Sequence, residues 1–300
     1  MCRKLGLRED DSAFETIKRR LEPFVTPVLP RSTIRVNIDN VEAQTLGPGS
    51  SFGISSSVNR LHFEAPADHQ VTTTAAVPST APGFLLPCNT ILAEPHGWGI
   101  ISDIDDTIKV TVTSSPVGIL QTTFVDEPEP VRGMPELYAH LHTHLSDPTW
   151  FYLSASPYNL YSFLRDFRNR YFPAGTIILR DASWQSLGGL ISSLMVNVQE
   201  YKVNRMLKIH GWFPKRTFLC IGDSTQKDAE SYAEVAKRYP GWIKAILIRK
   251  VVVGAVDEAE KNADERFQKA FKGLKVPWCV FERPEEGQEF VDRLVHDSVG

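Results

Sequence analysis

Asp103, Asp105 and Thr107 form the densest cluster of reactive side chains in the sequence, directly after the apolar run of residues 98–101. Because side chains alternate along a strand, these three point to one side and Asp106 points to the other. Two carboxylates and a hydroxyl at the carboxyl end of a buried strand suit phosphate chemistry with a hard divalent cation. Taken alone, the same residues also fit an acidic surface turn.

Two later apolar runs end in polar side chains in the same way. Residues 150–153 lead into Ser154, whose hydroxyl and following amides either hold phosphate oxygens or cap the next helix. Residues 218–222 lead into Asp223. If this strand is a neighbour of the first, Asp223 faces Asp103 across a gap that Mg²⁺ would fill, because two close carboxylates otherwise repel each other.

Two further charged residues are candidates for supporting this edge. Asp228 either supports the metal site from behind or caps a helix, and both interpretations stay open. Lys202 lies on the predicted helix before the strand at residues 217–221 and can reach the carboxyl end of that strand, where it would neutralise a phosphorylated aspartate. Lys208 is a competitor for this role, and Lys202 also fits a solvated helix face.

Strand and helix patterns alternate from residue 97 onward, which predicts an α/β fold with a parallel sheet covered on both faces. The reactive site of such a sheet lies beyond the carboxyl ends of its strands, where the polar clusters fall. Strands are predicted at residues 98–104, 149–153, 175–179, 217–221, 242–248 and 278–281. Helices are predicted at residues 135–145, 159–171, 187–196, 198–210, 228–238, 257–271 and 284–296.

The N-terminal part of the chain is different in character. Ser12 and Glu15 form a capping-box pattern, which predicts a helix that ends before Pro23. Its polar side carries Lys18, Arg19 and Arg20, either as a solvated basic face or as a contact with an anionic membrane. The proline-containing segment 27–30 could dock on an SH3-type groove.

Residues 32–95 alternate short β-like runs with Gly, Pro and Ser, and no chemistry is legible in them. The runs are residues 33–38, 57–63 and 71–77, which predict a small β-rich module. The chain is therefore divided into an N-terminal helix and linker (1–31), the β-rich module (32–95) and the main domain (96–300).

Composition favours a soluble protein in a reducing, cytoplasmic compartment. Apolar residues make up 42% of the 300 residues, and the net charge of −3 gives no reason to expect nucleic acid as a partner. The N-terminus lacks the apolar core of a secretory signal, and the longest apolar stretch, 245–256, is too short to span a bilayer. The four cysteines are scattered without metal-like pairs: Cys2, Cys88, Cys220 and Cys279.

The order of the polar clusters resembles the four motifs of the haloacid dehalogenase superfamily. These motifs are Asp103-x-Asp105-x-Thr107, then Ser154, then Lys202, then Gly222-Asp223-Ser224 to Asp228. Residues 99–109, 151–157, 172–175 and 221–224 look more narrowly like the actin-patch type of phosphatidate phosphatase, over about residues 94–249. The resemblance implies a Rossmann-like haloacid dehalogenase parallel sheet with helices on both faces, beside the small β-rich N-terminal module.

The same resemblance implies Mg²⁺-dependent hydrolysis of phosphatidate to diacylglycerol and phosphate through an aspartyl phosphate. Asp103 would be the nucleophile and Asp105 the general acid and base. The other catalytic positions would be Thr107 and Ser154, which bind phosphate oxygens, and Lys202, which neutralises charge. Mg²⁺ would be held by Asp103, the main-chain carbonyl of Asp105, and Asp223, with Asp228 behind them. The expected location is peripheral, at a membrane or actin patch.

Two departures from the family pattern bear on the function that the resemblance implies. Thr225-Gln226 stands where the family usually carries a Gly-Glu pair, and the segment 109–131 looks short and unlike the family's usual sequence. The second departure bears on the substrate more than on catalysis. Two alternatives therefore stay open: a phosphatase of soluble phosphomonoesters, and a non-catalytic membrane or cytoskeletal scaffold.

Two clusters outside the motifs have simpler interpretations. His140 and His144 share a helix face and could hold zinc, but no third ligand is nearby in sequence, so a solvated histidine face that includes His142 is favoured. The arginines at 165, 168 and 170 form a basic helix that could meet anionic lipid, although a solvated face is the default.

Overall fold

The computed structural model describes residues 12–26, 29–38, 41–55, 58–63, 70–75, 88–181 and 197–299. The chain divides into two compact units. The larger α/β unit comprises Met1–Val25, His96–Arg180 and Trp184–Gly300, and the smaller β unit comprises Thr26–Pro95 and Asp181–Ser183. The predicted helix at residues 187–196 lies outside the described residues, as do Pro27 and Val28 of the SH3-type segment.

The β unit contains an antiparallel sheet, which confirms the predicted β-rich module. Its strands are β1 (Ile34–Ile38), β2 (Glu42–Leu46), β3 (Gln70–Ala75) and β4 (Cys88–Ile91), in the order β2-β1-β3-β4. The strand prediction for residues 57–63 is wrong for the described part, 58–63, which forms no strand. Leu61 and Phe63 instead pack against buried Val36 and Ile38, so the apolar pattern there reflects core packing rather than strand pairing.

The α/β unit is built on a six-stranded parallel sheet, as the strand and helix alternation predicts. Its strands are β5 (Trp98–Asp103), β6 (Thr149–Pro157), β7 (Thr176–Arg180), β8 (Thr217–Asp223), β9 (Ile243–Arg249) and β10 (Trp278–Phe281). They lie in the order β10-β9-β8-β5-β6-β7, and every neighbouring pair is parallel. The side chains of consecutive β5 residues point to opposite faces of the sheet, since Ile100 and Ile101 belong to two separate apolar cores.

Helices cover this sheet close to the predicted positions. They are α1 (Ser12–Val25), α2 (Pro116–Leu120), α3 (Met134–His144), α4 (Tyr161–Tyr171), α5 (Val198–Trp212), α6 (Asp228–Arg238), α7 (Glu258–Lys261), α8 (Asp264–Phe271) and α9 (Pro284–Val299). The single helix predicted at 257–271 is wrong, because the extended backbone of Ala263 separates α7 from α8. The segment 109–131 is not a plain loop, since α2 is followed by a π-helical turn at Gln121–Val125.

Helix α1 continues past Pro23 to Val25, so the predicted end before Pro23 is wrong. Tertiary contacts hold this last turn in place. Phe24 is buried and its ring lies 5.6 Å from that of Phe124, while the Asn159 side chain donates a 2.8 Å hydrogen bond to the Pro23 carbonyl. Packing of the terminal aromatic residue therefore outweighs the helix-ending tendency of proline.

Arg20 does not belong to a solvated basic face. It is 8% exposed, and its guanidinium donates to the carbonyls of Thr123 and Asp126 and lies 4.9 Å from the Phe163 ring centroid. Carbonyl groups at the end of the π-helical turn have few partners within the turn and attract a cation. Lys18 and Arg19 are exposed, as predicted.

Candidate active site

The sheet order brings three of the predicted clusters to one edge. Strand β5 lies between β6 and β8, so Asp103 and Asp223, the last residues of β5 and β8, end on adjacent parallel strands. Asp103 is in register with Leu153, so Ser154 follows one residue further along β6. Ser154 lies inside β6, so its hydroxyl does not cap the next helix, which is the alternative to phosphate binding.

Asp103 is 1% exposed and has a partner at each carboxylate oxygen. The Lys202 ammonium lies 2.6 Å from Oδ1, and Thr107 Oγ1 lies 3.2 Å from Oδ2. Thr107 Oγ1 also lies 3.0 Å from Asp223 Oδ2. A hydroxyl donates only one proton, so Thr107 can donate fully to only one of these two carboxylates at a time.

Lys202 reaches the site from α5, and Lys208 does not. The Lys202 side chain is buried and also pairs with Asp228 Oδ1. Lys208, in contrast, places its ammonium 5.4 Å from the ring centroid of Trp212 on the same helix. The other Asp228 oxygen accepts a 3.1 Å hydrogen bond from the Asp223 amide. Both Asp228 oxygens are thus engaged with the strand and the lysine, and neither caps α6.

Asp105 is held on both sides by hydroxyl groups. Ser154 Oγ lies 2.5 Å from Oδ2, and Thr111 Oγ1 lies 2.9 Å from Oδ1. The amide of Ser156 donates a 3.0 Å hydrogen bond to Ser154 Oγ, which leaves the serine proton directed at the carboxylate. This arrangement fixes the Asp105 side chain close to the end of β5.

Gly222 allows β8 and α6 to approach each other closely. A Cβ atom at Gly222 would lie 2.5 Å from Asp228 Cβ, which is closer than any real contact. The carboxylate of Asp223 then turns back to accept hydrogen bonds from the amide, at 2.6 Å, and the hydroxyl of Thr225. Thr225 therefore supports the Asp223 carboxylate from the position where the family usually carries glycine.

Negative charge exceeds positive charge at this edge. Burial raises the pKa of Asp103 well above its ordinary value, although Lys202 opposes the shift. Burial and the nearby Asp228 raise the pKa of Asp223 to about 7. Burial alone would lower the pKa of Lys202, but Asp103 and Asp228 outweigh that effect and raise it. A divalent cation would relieve the repulsion that these shifts reflect.

The residues present fit a hard divalent cation. Carboxylate oxygens of Asp103, Asp223 and Asp228 lie within 4.8 Å of one another, and all three side chains are buried. Oxygen donors of this kind suit Mg²⁺. Asp103 and Asp223 both approach the Thr107 hydroxyl, whereas Asp228 contacts Lys202 and the Asp223 amide, so the first two carboxylates are the better candidates to face a cation.

Motif reasoning misses the residues that anchor the segment after β5. Asp106 has a positive φ of 60° and accepts hydrogen bonds from the amides of Thr111, Val112 and Thr113, at 2.7–2.9 Å. Thr113 Oγ1 adds a 2.6 Å bond to the same carboxylate. The alternation of threonine with valine after Lys109 is the sequence signal that could have revealed this anchor.

Arg266 is a further missed residue, and it carries no sequence signal. From α8, its guanidinium donates to the carbonyls of Ser224 and Gln226 and pairs with Glu230 at 3.0 Å. These bonds hold the turn that follows Asp223. Arg266 is separated from that turn by about forty residues, so only the tertiary fold brings the two together.

Fold and site together define an α/β protein with a buried carboxylate and lysine centre at the carboxyl edge of a parallel sheet. The sequence profile described as phosphatidate phosphatase APP1, catalytic domain, matches residues 98–250. The chain belongs to this family, which confirms the resemblance drawn from the motifs. The profile covers every residue of the site described above except Arg266.

Two curated relatives support the family assignment. Phosphatidate phosphatase APP1 of Saccharomyces cerevisiae is 30% identical over 258 residues, which cover 82% of this chain and 42% of that protein. An uncharacterized protein of Schizosaccharomyces pombe is 30% identical over 162 residues, covering 52% of this chain and 26% of that protein. The chain thus spans less than half the length of either relative.

A solved structure, the D319A mutant of the PilB minor pilin from Streptococcus sanguinis, aligns with 9% identity and a TM-score of 0.33, over 76% of this chain and 74% of that one. This likeness is too weak to bear on fold or function. In the described ranges, no helix has both the length and the apolar character needed to cross a membrane.

Proposed function

We propose that this chain is a Mg²⁺-dependent phosphatidate phosphatase that forms an aspartyl phosphate on Asp103. One observation carries the proposal: the buried carboxylates of Asp103 and Asp223 converge on the same threonine hydroxyl, within 3.2 Å, beside the Lys202 ammonium. Membership of the phosphatidate phosphatase family supports phosphatidate as the substrate.

Asp103 and Asp223 would hold Mg²⁺ by their carboxylates, and Asp105 by its main-chain carbonyl, with Asp228 fixing its neighbours from behind. A bound Mg²⁺ supplies positive charge that neutralises the phosphate and lowers the repulsion between it and the attacking carboxylate. Lys202 contributes a second, fixed positive charge, since its ammonium lies 2.6 Å from Asp103 Oδ1.

In the first step, a carboxylate oxygen of Asp103 attacks phosphorus and the bond from phosphorus to the ester oxygen breaks. Asp105 donates its proton to that oxygen, so diacylglycerol leaves as a neutral alcohol. The hydroxyls of Ser154 and Thr111 hold the Asp105 carboxyl in a fixed orientation. With substrate bound, Thr107 and Ser154 would instead donate their hydroxyl protons to phosphate oxygens, which leaves Thr111 to hold Asp105.

In the second step, Asp105 accepts a proton from water, and the water oxygen attacks phosphorus. The bond from phosphorus to the Asp103 oxygen breaks, which releases inorganic phosphate and restores the Asp103 carboxylate. The two steps use Asp105 first as an acid and then as a base, so its fixed position serves both.

The segment that follows β9 is a suitable surface for meeting a bilayer. Val252, Val253 and Val256 are 64%, 50% and 107% exposed. The backbone around them is well anchored, because Glu258 accepts 2.6 Å hydrogen bonds from the amides of Val253 and Gly254. The Val251 amide bonds to Ser224 Oγ at 3.0 Å, next to Asp223. A rigid loop with exposed apolar tips beside the site suits shallow insertion among lipid chains.

The basic surface of α4 is less suitable for that contact. Helix α4 follows β6 and runs back along the sheet, so Arg168 and Arg170 in its last turn lie towards the opposite edge. Arg165 pairs with Asp166 at 2.8 Å. We therefore place the membrane contact on the valine loop, residues 252–256, rather than on α4 or on the buried Arg20.

Phosphate release from phosphatidate in mixed micelles, measured beside a panel of soluble phosphomonoesters, tests this function. We expect release that depends on Mg²⁺, stops with EDTA and is absent from the Asp103→Asn variant. A higher kcat/KM for a soluble phosphomonoester would contradict the lipid substrate but keep the phosphatase. No release above the Asp103→Asn background from any substrate would contradict the phosphatase and favour a scaffold.

A further inference from the structure

Helices α3 and α9 bring two histidines and an aspartate together on the surface of the α/β unit. His140 Nε2 lies 2.7 Å from Asp292 Oδ1, and His144 Nε2 lies 3.9 Å from the same oxygen. The three side chains have donor atoms within 4.8 Å of one another and are 20%, 45% and 48% exposed. The fold thus supplies the third ligand that is missing from the sequence around the histidines.

The protonation state of His144 prepares it to bind a metal. Its Nδ1 lies 3.0 Å from the His140 carbonyl oxygen. A carbonyl oxygen only accepts hydrogen bonds, so Nδ1 carries the proton and, in the neutral ring, Nε2 has the free lone pair. A hydrogen bond from the second ring nitrogen to a carbonyl is the usual support of a metal-bound histidine.

The distances in the cluster bracket the ligand spacing of a four-coordinate ion. Bond lengths of about 2.0–2.2 Å place two ligands of a tetrahedral zinc ion about 3.3 Å apart. The observed separations of 2.7 and 3.9 Å from Asp292 Oδ1 lie on either side of that value. The two rings are stacked, with centroids 3.7 Å apart and planes at 20°, so the exposed His144 ring would have to rotate away from His140 for both lone pairs to point at one ion. Two imidazoles and one carboxylate favour zinc over Mg²⁺, which prefers oxygen ligands alone.

We infer that His140, His144 and Asp292 form a Zn²⁺ site that clamps α3 to α9, with water as the fourth ligand. The opposite face of α3 reaches the strand of the nucleophile, because Tyr138 Oη lies 2.6 Å from Ser102 Oγ and Ser102 Oγ donates to the Asp103 carbonyl. A clamp on the outer face of α3 would therefore stabilise the support behind Asp103. This inference does not depend on the proposed phosphatase activity.

Calorimetric titration of the full chain with Zn²⁺, in excess Mg²⁺ to occupy the carboxylate site, tests the inference. We expect one saturable equivalent of Zn²⁺ and a matching rise in Tm. His144→Gln and Asp292→Asn each should weaken Zn²⁺ binding by at least about tenfold and abolish the rise in Tm. His142→Gln is the matched control, because it makes the same change on the same helix at a side chain that is also 45% exposed.

Two results would overturn the site. One is the absence of any saturable Zn²⁺ binding, and the other is equal affinity in the wild type and in both ligand variants. The Tm of each variant without Zn²⁺ shows whether it folds. All three ligands lie at least partly on the surface, so we expect folded variants, and circular dichroism spectra that match the wild type would verify this.

Discussion

Asp105 is fixed from two sides, since Ser154 Oγ lies 2.5 Å from one carboxylate oxygen and Thr111 Oγ1 lies 2.9 Å from the other. Lys109 Nζ in turn lies 3.1 Å from Thr111 Oγ1. Ser154 would turn towards a phosphate oxygen when substrate is bound, so Thr111 would then be the hydroxyl that keeps Asp105 in place. Thr111 is thus a positioning residue for the proposed acid and base.

Thr111→Val removes that hydroxyl while keeping the shape of the side chain. We expect kcat to fall about tenfold with little change in KM, because general acid–base catalysis contributes about 10²–10⁴-fold and only its positioning is impaired. The pH profile of kcat should shift as well, which a purely structural role would not cause. Thr143→Val is the matched control, since the Thr143 hydroxyl donates to the Ala139 carbonyl within its own exposed helix turn. An unchanged kcat would remove Thr111 from the mechanism.

The pKa of Asp223 is raised to about 7, so binding of a metal ion to this carboxylate would depend on pH. The pKa of an aspartate in an unfolded chain is about 4. The folded state without metal therefore keeps a proton that the unfolded state releases, so this contribution to stability is present below about pH 4 and declines as the pH rises to about 7. A metal ion competes with that proton, so its stabilising effect should grow over the same range.

Melting curves with EDTA and with Mg²⁺ check this linkage. We expect the rise in Tm that Mg²⁺ produces to be larger at about pH 8 than at about pH 5. The Asp223→Asn variant should lose most of that difference, because it has no proton to exchange for the cation. An Mg²⁺ effect of equal size at both pH values would show that Asp223 does not take part in binding the ion.

At the scale of elements, the turn from β8 into α6 decides whether the site can assemble. Gly222 has no side chain, so Asp228 can pack directly against it. A Cβ atom at residue 222 would lie only 2.5 Å from Asp228 Cβ. Asp228 in turn contacts Lys202 and the Asp223 amide. The close approach of Gly222 to Asp228 therefore couples the position of the β8 backbone to that of the Asp228 carboxylate.

Gly222→Ala should displace Asp228 and lower the free energy of unfolding by about 1–3 kcal/mol, as expected for overpacking in a tight interior. We also expect a loss of activity, because Lys202 loses one of its two carboxylate partners, Asp228, and keeps only Asp103. Gly211→Ala is the matched control: an added Cβ there meets nothing within 4 Å, and alanine favours the helix by about 0.5–1 kcal/mol. Denaturant unfolding of the two variants makes the comparison. Equal stability of Gly222→Ala and the wild type would contradict the close approach.

The elements that the sequence predicts well are those in which local pattern and tertiary packing agree. Helix α6 at Asp228–Arg238 and strand β10 at Trp278–Phe281 occur as predicted, since their periodicity matches the faces they bury. The end of α1 and the strand assigned to residues 57–63 fail because distant partners decide them. Phe124 holds the turn after Pro23, and Val36 and Ile38 accept Leu61 and Phe63 without strand pairing.

The same distinction between local pattern and distant contacts applies to the functional residues. Asp103, Asp105, Ser154 and Asp223 follow apolar strands, and parallel pairing alone brings such residues to one edge. Arg266 and Asp292 escape sequence reasoning because each acts on residues far away in the chain. Each would pass for an ordinary charged residue on a helix face if only its own helix were considered.

At the scale of the whole molecule, the valine loop, residues 252–256, follows the carboxyl end of β9 and so lies at the same edge of the sheet as the candidate site. A lipid headgroup would have to reach this edge. Replacing Val252, Val253 and Val256 together by serine should reduce binding to phosphatidate vesicles and turnover there. Turnover of a soluble phosphomonoester should stay unchanged, because these side chains are exposed and have no part in the proposed chemistry.

Sedimentation with vesicles and phosphate release measured on the same samples check this prediction. Val41→Ser with Val58→Ser is the matched control, since both valines are exposed, at 66% and 84%, and lie in the β unit. Full vesicle binding by the triple serine variant would show that another surface meets the membrane.

Trapping of the phosphorylated enzyme is the direct test of whether Asp103 is the nucleophile that forms an aspartyl phosphate. Phosphatidate labelled with ³²P is mixed with the protein and Mg²⁺, quenched in acid within one turnover, and the labelled peptide is identified by mass spectrometry. We expect an alkali-labile acyl phosphate on Asp103, formed only with Mg²⁺ and absent from Asp103→Asn. Label on any other residue, or near-normal phosphate release by Asp103→Asn, would contradict it.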